Sequence, residues 1–387
     1  MALKTWTFTD VEKEIFVEQA DIGPRVLTGA AGACRATKRT LHGGLREGVE
    51  IVELDNGRLR LVVLPTRGMG IWRVDCNRLR LGWSSPVRGP VHPAFVNLWE
   101  PGGIGWLSGF DELLVRCGLA SNGAPEFRPD GALRYPLHGK IANTPAHKVE
   151  LSIDEEQGEI RLTGVVDEAR LFGAKLRLVS TIAMRAGEPA FAVRDEVINL
   201  SAEPGEMELL YHINFGPPLA APGAEVFLPV KRLAPRDAIA AAEIDRWRSY
   251  GPESPGAPEV CYFFDLVADA SGCVPTLLQS ADGKQGVCIK FIKHTLPCFT
   301  LWKNRHAIAD GYVTGLEPAT NFPNRRSFEK EHHRVVQLSP GESRRFEVRI
   351  EVCEDAAVAA VRETIQHLQA GVQPEILSSP DPNWSAE

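Results

Sequence analysis

Met207-Glu-Leu-Leu-Tyr-His-Ile-Asn-Phe-Gly216 reads as a β-strand with two chemically different faces. Successive side chains of a strand point to opposite sides, so Met207, Leu209, Tyr211, Ile213 and Phe215 share one face and Glu208, Leu210, His212 and Asn214 the other. The first is a core face. The second sets an imidazole beside an amide near the strand's end, where Gly216-Pro217-Pro218 stops the ladder and opens a loop. A proton-transferring group next to a hydrogen-bonding one on a core strand points to a pocket floor. On this stretch alone, a buried histidine satisfied by its neighbours is an equal reading.

Strand signals continue on both sides of this stretch. Upstream lie Lys148–Ile153, Glu159–Val166, Lys175–Met184 and Ala190–Leu200. Downstream lie Ala224–Val230, Val260–Val267, Gly286–Lys293, Cys298–Lys303, Gly311–Glu317, Arg334–Leu338 and Arg344–Val352. Nearer the N-terminus, Val49–Asp55 and Arg58–Leu64 flank Asn56-Gly57, the strongest short-range hairpin signal, and segments reaching Val74 and spanning Arg78–Gly82 extend the meander. Only Ala356–Ala370 has helical periodicity, with Ala357, Val358, Val361, Ile365 and Leu368 on one face. Many strands, few helices, no βαβ alternation and no internal repeat predict an all-β protein, a large antiparallel β-sandwich. The expected division is an N-terminal extension over 1–45, a sandwich domain over 46–355, and a C-terminal helix and tail over 356–387. Within the extension, Asp10 is expected to cap a short helix and Gly29–Ala33 to form a loop.

Composition narrows the partners. The 387 residues are 44% hydrophobic and 24% charged, the balance of an ordinary folded chain. A net charge of -7 without long basic runs argues against nucleic acid or an anionic membrane surface. The N-terminal stretch lacks the apolar core of a secretory signal, and no segment approaches ~18 uninterrupted apolar residues, so a cytoplasmic chain is expected. Eight cysteines lie scattered without a Cys-x-x-Cys pair, which indicates neither structural zinc nor a redox motif.

Residues 83–145 are rich in glycine and proline and poor in periodicity. The run Gly102-Gly-Ile-Gly-Trp-Leu-Ser-Gly109 is neither a phosphate loop nor a dinucleotide fingerprint. A long irregular segment in a β protein is usually functional. This one mixes Trp83, Trp99, Trp106 and Phe110 with Asp111, Arg116 and His138, the flat apolar faces and fixed polar groups that a sugar site uses.

Three residues stand out as a chemical set: His138 in Leu137-His-Gly139, His212 on the opening strand, and Glu317 in Gly315-Leu-Glu-Pro-Ala-Thr-Asn321. Two imidazoles and a carboxylate can perform general acid–base chemistry near neutral pH. The same trio could hold a divalent metal and isomerise or epimerise a sugar carbon next to a carbonyl, although no pair has helical ligand spacing. A pocket that binds sugar without turnover is a third reading.

The ordered motifs Leu64-Pro-Thr-Arg-Gly-Met69, Arg116-Cys-Gly-Leu119, Leu137-His-Gly139, Tyr211-His-Ile-Asn-Phe-Gly216 and Gly315-Leu-Glu-Pro-Ala-Thr-Asn321, closed by Leu338-Ser-Pro-Gly-Glu342, resemble the aldose 1-epimerase, or galactose mutarotase-like, superfamily over roughly residues 45–352. The resemblance implies a mutarotase-like sandwich that interconverts sugar anomers. It implies His212 as general acid on the ring oxygen, Glu317 as general base on the anomeric hydroxyl, and His138 and Arg67 as substrate ligands. Asn214, Asn321, Asp111 and Arg116 are further expected substrate contacts. The chain carries Tyr211-His212-Ile213 where mutarotases carry an Asn-His-Thr-type sequence. No cofactor and no metal are expected; the partner is a small sugar or sugar derivative, and a homodimer is the assembly the reading allows.

Overall fold

The computed structural model describes residues 3–77 and 79–386. Two large sheets, of ten and fourteen strands, stack face to face, with a two-stranded sheet (Glu126–Phe127, Leu133–Tyr135) beside them. The core between them draws Val149, Leu151, Leu162, Leu178, Val193 and Val348 from one sheet and Leu54, Leu61, Tyr211, Ile213 and Leu316 from the other. Full burial of such a side chain is worth about 1.5–3 kcal/mol, so this interface is the main source of stability. The expected large antiparallel sandwich is the observed fold.

The Asn56-Gly57 hairpin forms as its chemistry requires. Gly57 adopts φ +87°. Asn56 Oδ1 accepts from the backbone N–H groups of Arg58 and Leu59, at 2.9 and 2.7 Å. The flanking strands are Glu50–Asp55 and Leu59–Leu64. Arg78, with which the expected next strand begins, lies outside the described residues; Leu79–Leu81 form the strand there.

The five strands that matter for the site are β1 (Leu114–Leu119), β2 (Gly205–Phe215), β3 (Val260–Leu266), β4 (Cys298–Asn304) and β5 (Val313–Ala319). They are neighbours in the larger sheet in the order β3-β4-β5-β2-β1. The β2 alternation is as read from the sequence. Met207, Leu209, Tyr211, Ile213 and Phe215 all enter the inter-sheet core, and Leu210 joins a separate cluster with Trp106, Phe110, Val115, Cys117 and Ala319 on the outer face. The irregular segment thus roofs the outside of the sheet.

The structure departs from expectation in three places. Leu3–Asp10 pairs with Lys148–Asp154 in the ten-stranded sheet, and Arg35–Thr40 pairs with Glu50–Asp55 in the other, so strands from residues 1–45 are built into both layers. Asp10 caps only a single 3-10 turn, Val11–Lys13. Secondly, β1 lies inside the segment read as irregular. Every one of its residues is buried, so it lacks the polar and apolar alternation that marks a half-exposed strand. Thirdly, beyond the helix Ala356–Gln369 the tail is docked: Glu375–Ile376 pairs with Arg232–Leu233, and Trp384 packs on Phe322 with ring centroids 5.0 Å apart. Among the described residues no helix is long and apolar enough to cross a membrane.

Candidate functional site

Strand register creates the central contact. β2 and β5 run antiparallel with Leu210 opposite Ala319, Ile213 opposite Leu316 and Asn214 opposite Gly315. That register sets His212 opposite Glu317 on the outer face, and His212 Nε2 lies 3.2 Å from Glu317 Oε1. Gly315 makes the approach feasible, since a Cβ there would sit 2.2 Å from Glu317 Oε1 and 3.0 Å from His212 Cε1.

Aromatic rings close around the pair. The His212 ring centroid lies 5.2 Å from Phe110, 5.4 Å from Trp302, 5.5 Å from His138 and 6.2 Å from Trp106. His212 and Glu317 keep only 4% and 2% of their surface exposed, whereas His138 and Trp302 are half-buried and mark the side on which the cluster meets solvent.

The hydrogen-bond network fixes the tautomers. Both amide hydrogens of Asn214 are committed, to the carbonyls of Glu112 (3.0 Å) and His212 (3.2 Å). Its Oδ1 therefore accepts from His212 Nδ1–H at 2.6 Å, leaving Nε2 to face Glu317. His138 Nδ1 donates to the carbonyl of Asn122 at 2.8 Å, which likewise frees its Nε2. His138 sits at φ +57°, with Gly139 following at +72°. A Cβ on Gly139 would come within 2.1 Å of the Ser121 carbonyl, so glycine is required for this close turn. Asn321 and Asn122 exchange amide hydrogen bonds at 3.0 and 3.1 Å. Asn321 thus braces the loop that holds His138.

Burial sets the proton distribution. Loss of solvent pushes Glu317 well above the usual carboxylate range, the negative charge of Glu259 adds to this, and Arg236 opposes it. Burial, with His138 adding, holds His212 far below an ordinary imidazole. It also lowers His138 to about 4. The two directions together favour a proton on Glu317 and a neutral imidazole on His212. Glu317 Oε1 has no aligned hydrogen bond among the described residues, so this oxygen is left for a ligand.

Not every expected contact belongs here. Arg116 points from β1 into the space between the sheets and spends its donors on Asp195, Ser180 and the Gly68 and Met69 carbonyls, while Tyr211 also donates to Asp195. Arg67 is fully buried, paired with Glu112 at 2.6 Å, and ties down the carbonyls of Val91 and Gly109 and Asn143 Oδ1. Both arginines hold the framework instead of a substrate. Asp111 alternates away from Phe110 and accepts from Trp72 Nε1 at 3.0 Å, outside the cluster. Asn214 and Asn321 act on the two histidines, one directly and one through Asn122. The reading from sequence did not single out Asn122 or Glu259; the latter accepts from Trp302 Nε1 at 2.6 Å. Both lie in loops that carry no periodic signal. Among the described residues no group of three or more His, Cys, Asp or Glu is arranged to hold a metal ion. A cavity of about 560 Å³ is lined by Pro136, Gly139 and Lys140 but by none of the trio.

Comparison with known proteins agrees with this architecture. The sequence profile of a family described as a domain of unknown function, DUF4432, matches residues 46–352. A solved structure from Klebsiella pneumoniae, provisionally named an aldose 1-epimerase, is 33% identical, covers 98% of this chain and 99% of its own, and superposes with a TM-score of 0.93. A galactose mutarotase-like protein from Clostridium acetobutylicum shares the fold at 14% identity, with a TM-score of 0.56 over 83% of this chain and 98% of its own. Galactose 1-epimerase from Lactobacillus acidophilus does so at 13% identity and 0.53, over 82% and 98%. No curated protein matches the sequence. A profile match over most of the chain, and a full-length relative on the same sandwich, place the chain in the DUF4432 family, with the galactose mutarotase-like fold.

Proposed function

We propose that this protein is an acid–base isomerase that interconverts the anomers of a free sugar at His212 and Glu317. The observation that carries the reading is the 3.2 Å approach of His212 Nε2 to Glu317 Oε1, with the imidazole held in a single tautomer by Asn214. Anomerisation needs one proton removed from the O1 hydroxyl and one added to the ring oxygen. The C1–O5 bond then breaks, C1–C2 rotates, and closure from the other face returns both protons. Glu317 as carboxylate takes the O1 proton, and His212 as imidazolium delivers the one on Nε2 to O5. A neutral pair and a carboxylate–imidazolium pair hold the same number of protons. A sugar hydroxyl donating to Glu317 moves the existing proton toward His212 without uptake from solvent.

The neutral Nε2 of His138 accepts a hydroxyl hydrogen, and the faces of Trp302 and Phe110 wall the sugar ring. Each positioned acid or base contributes about 10²–10⁴-fold. Polarimetry of freshly dissolved α-D-glucose and α-D-galactose tests the reading. Accelerated decay of optical rotation by the native protein, abolished in Glu317→Gln, supports it. A native protein that leaves the spontaneous rate of neutral and acidic aldoses unchanged overturns it.

A further inference from the structure

A second cavity, of about 460 Å³, lies behind the aromatic roof and is lined by Arg46, Trp72, Arg80, Trp83, Arg88 and Asp111, among others. It is separated from His212 by two packed rings, since Trp83 lies 4.8 Å from Phe110 and Phe110 lies 5.2 Å from His212. Its volume falls in the range of roughly 300–1,000 Å³ typical of small-molecule sites.

Three groups on this wall, Arg80, Arg88 and Asp111 Oδ1, have no partner among the described residues. Among the described residues, Arg80 and Arg88 make no side-chain hydrogen bond or ion pair, and Arg46 makes only a long one, 3.4 Å to the Gly89 carbonyl. Two uncommitted guanidinium groups and a loosely held third around one cavity stand out on a chain of net charge -7. Asp111 is 7% exposed, yet its Oδ1 has no hydrogen-bond partner; Trp72 Nε1 occupies only Oδ2. Gly89 is the residue that allows this carboxyl to sit there, because a Cβ on it would lie 1.9 Å from Asp111 Oδ2. A buried polar atom left without a partner is destabilising, and a ligand hydroxyl would supply the missing bond.

Each group calls for a different part of one ligand. Guanidinium forks match carboxylate and phosphate oxygens in bidentate fashion. The indoles of Trp72 and Trp83 offer flat apolar surface, Trp72 on the side that Arg73 leaves uncovered, with their N–H groups already given to Asp111 and the Glu112 carbonyl. A buried carboxyl selects a hydroxyl, and burial holds Asp111 above the usual carboxylate range, which lets it donate as well as accept. We propose that this cavity is a second binding site, for an acidic sugar: its acid group on Arg46, Arg80 and Arg88, its ring against Trp72 and Trp83, and a hydroxyl on Asp111. The site stands on its own residues and does not depend on the anomerase reading.

Calorimetric titration with D-galacturonate, D-glucose 6-phosphate, D-galactose and inorganic phosphate tests this in the native protein, in Arg80→Gln/Arg88→Gln and in Glu317→Gln. The two exposed arginines can be replaced without opening the core. At least one acidic sugar is expected to bind, and to do so more tightly than galactose and inorganic phosphate; the two acidic probes distinguish a carboxylate ligand from a phosphate one. The double arginine variant should weaken that binding roughly tenfold or more, as loss of a charge-assisted contact does. Glu317→Gln should retain it. The proposal is overturned if neither acidic sugar binds, if the arginine variant binds as tightly as the native protein, if inorganic phosphate binds as well as the sugar phosphate, or if Glu317→Gln loses the binding. Acidic-sugar binding in a protein that fails to accelerate mutarotation removes the anomerase reading and leaves this one standing.

Discussion

Replacing Gly315 by alanine tests the catalytic geometry without touching either reacting group. The residue lies on β5 between Asn214 and Trp302 on the neighbouring strands, with φ outside the left-handed region, so the alanine backbone itself is unstrained. The new Cβ would stand 2.2 Å from Glu317 Oε1, against an ordinary van der Waals contact of 3.4–4 Å, so the carboxyl must retreat by roughly 1 Å. The carboxyl is closed in by the sheet and the aromatic roof, and the His212 ring is 3.0 Å from the same Cβ, so both partners shift. A misplacement of ~1 Å in a catalytic group costs about 10²-fold in rate. Overpacking of this size costs about 1–3 kcal/mol of stability, which a large sandwich tolerates. The assay is polarimetric mutarotation at matched concentrations, with circular dichroism and thermal melting to show that the variant is folded. A folded Gly315→Ala protein that works at the native rate would refute the claim that the His212–Glu317 approach performs the chemistry.

Four further outcomes are expected. Glu317→Gln and His212→Asn should each slow anomer exchange by about 10²-fold or more, and the double variant should lose little beyond the worse single one, because the two residues act as a unit. Since burial raises Glu317 from an ordinary 4.5, the folded state keeps a proton that the unfolded chain releases, and stability is lost as pH rises. Native stability should accordingly fall relative to Glu317→Gln as pH rises above ~4.5, with a limiting slope of about 1.4 kcal/mol per pH unit, in urea titrations; a pH-independent difference would contradict a proton-holding Glu317. Arg67→Met leaves Glu112 buried without its cation and should cost about 3–5 kcal/mol in denaturant unfolding, while a loss in activity with unchanged stability would return Arg67 to a substrate role. Mutarotation should survive exhaustive chelation; loss restored by a divalent cation would recast the trio as metal ligands.

The sequence of this protein determined its layers and its chemical set. Period-two alternation from Met207 to Phe215 separates a core face from a polar one whatever the strand pairs with, because the pleat alone decides which way each side chain points. Asn56-Gly57 likewise closes its hairpin through local backbone and side-chain bonds. Such features are legible because the interactions that create them span only a few residues. The same locality explains why β1 was hidden, as a strand buried on both faces has no alternation to show.

The partners of each polar group were decided by tertiary structure. His212 meets Glu317 across 105 positions only through the β2–β5 register, and a slip of one residue would turn Glu317 to the other face. Arg67 and Arg116 are strong candidates for binding anions or hydroxyls in any sequence. They lie in the framework because Glu112, brought in by a loop, and Asp195, brought in by another strand, satisfy them first. Asn122, Asn321 and Glu259 gain their roles only by facing a histidine, an amide or an indole supplied from elsewhere in the chain. A side chain's type fixes what it can donate or accept, but burial and the neighbour that reaches it fix whether that capacity is spent on the fold or left for a ligand.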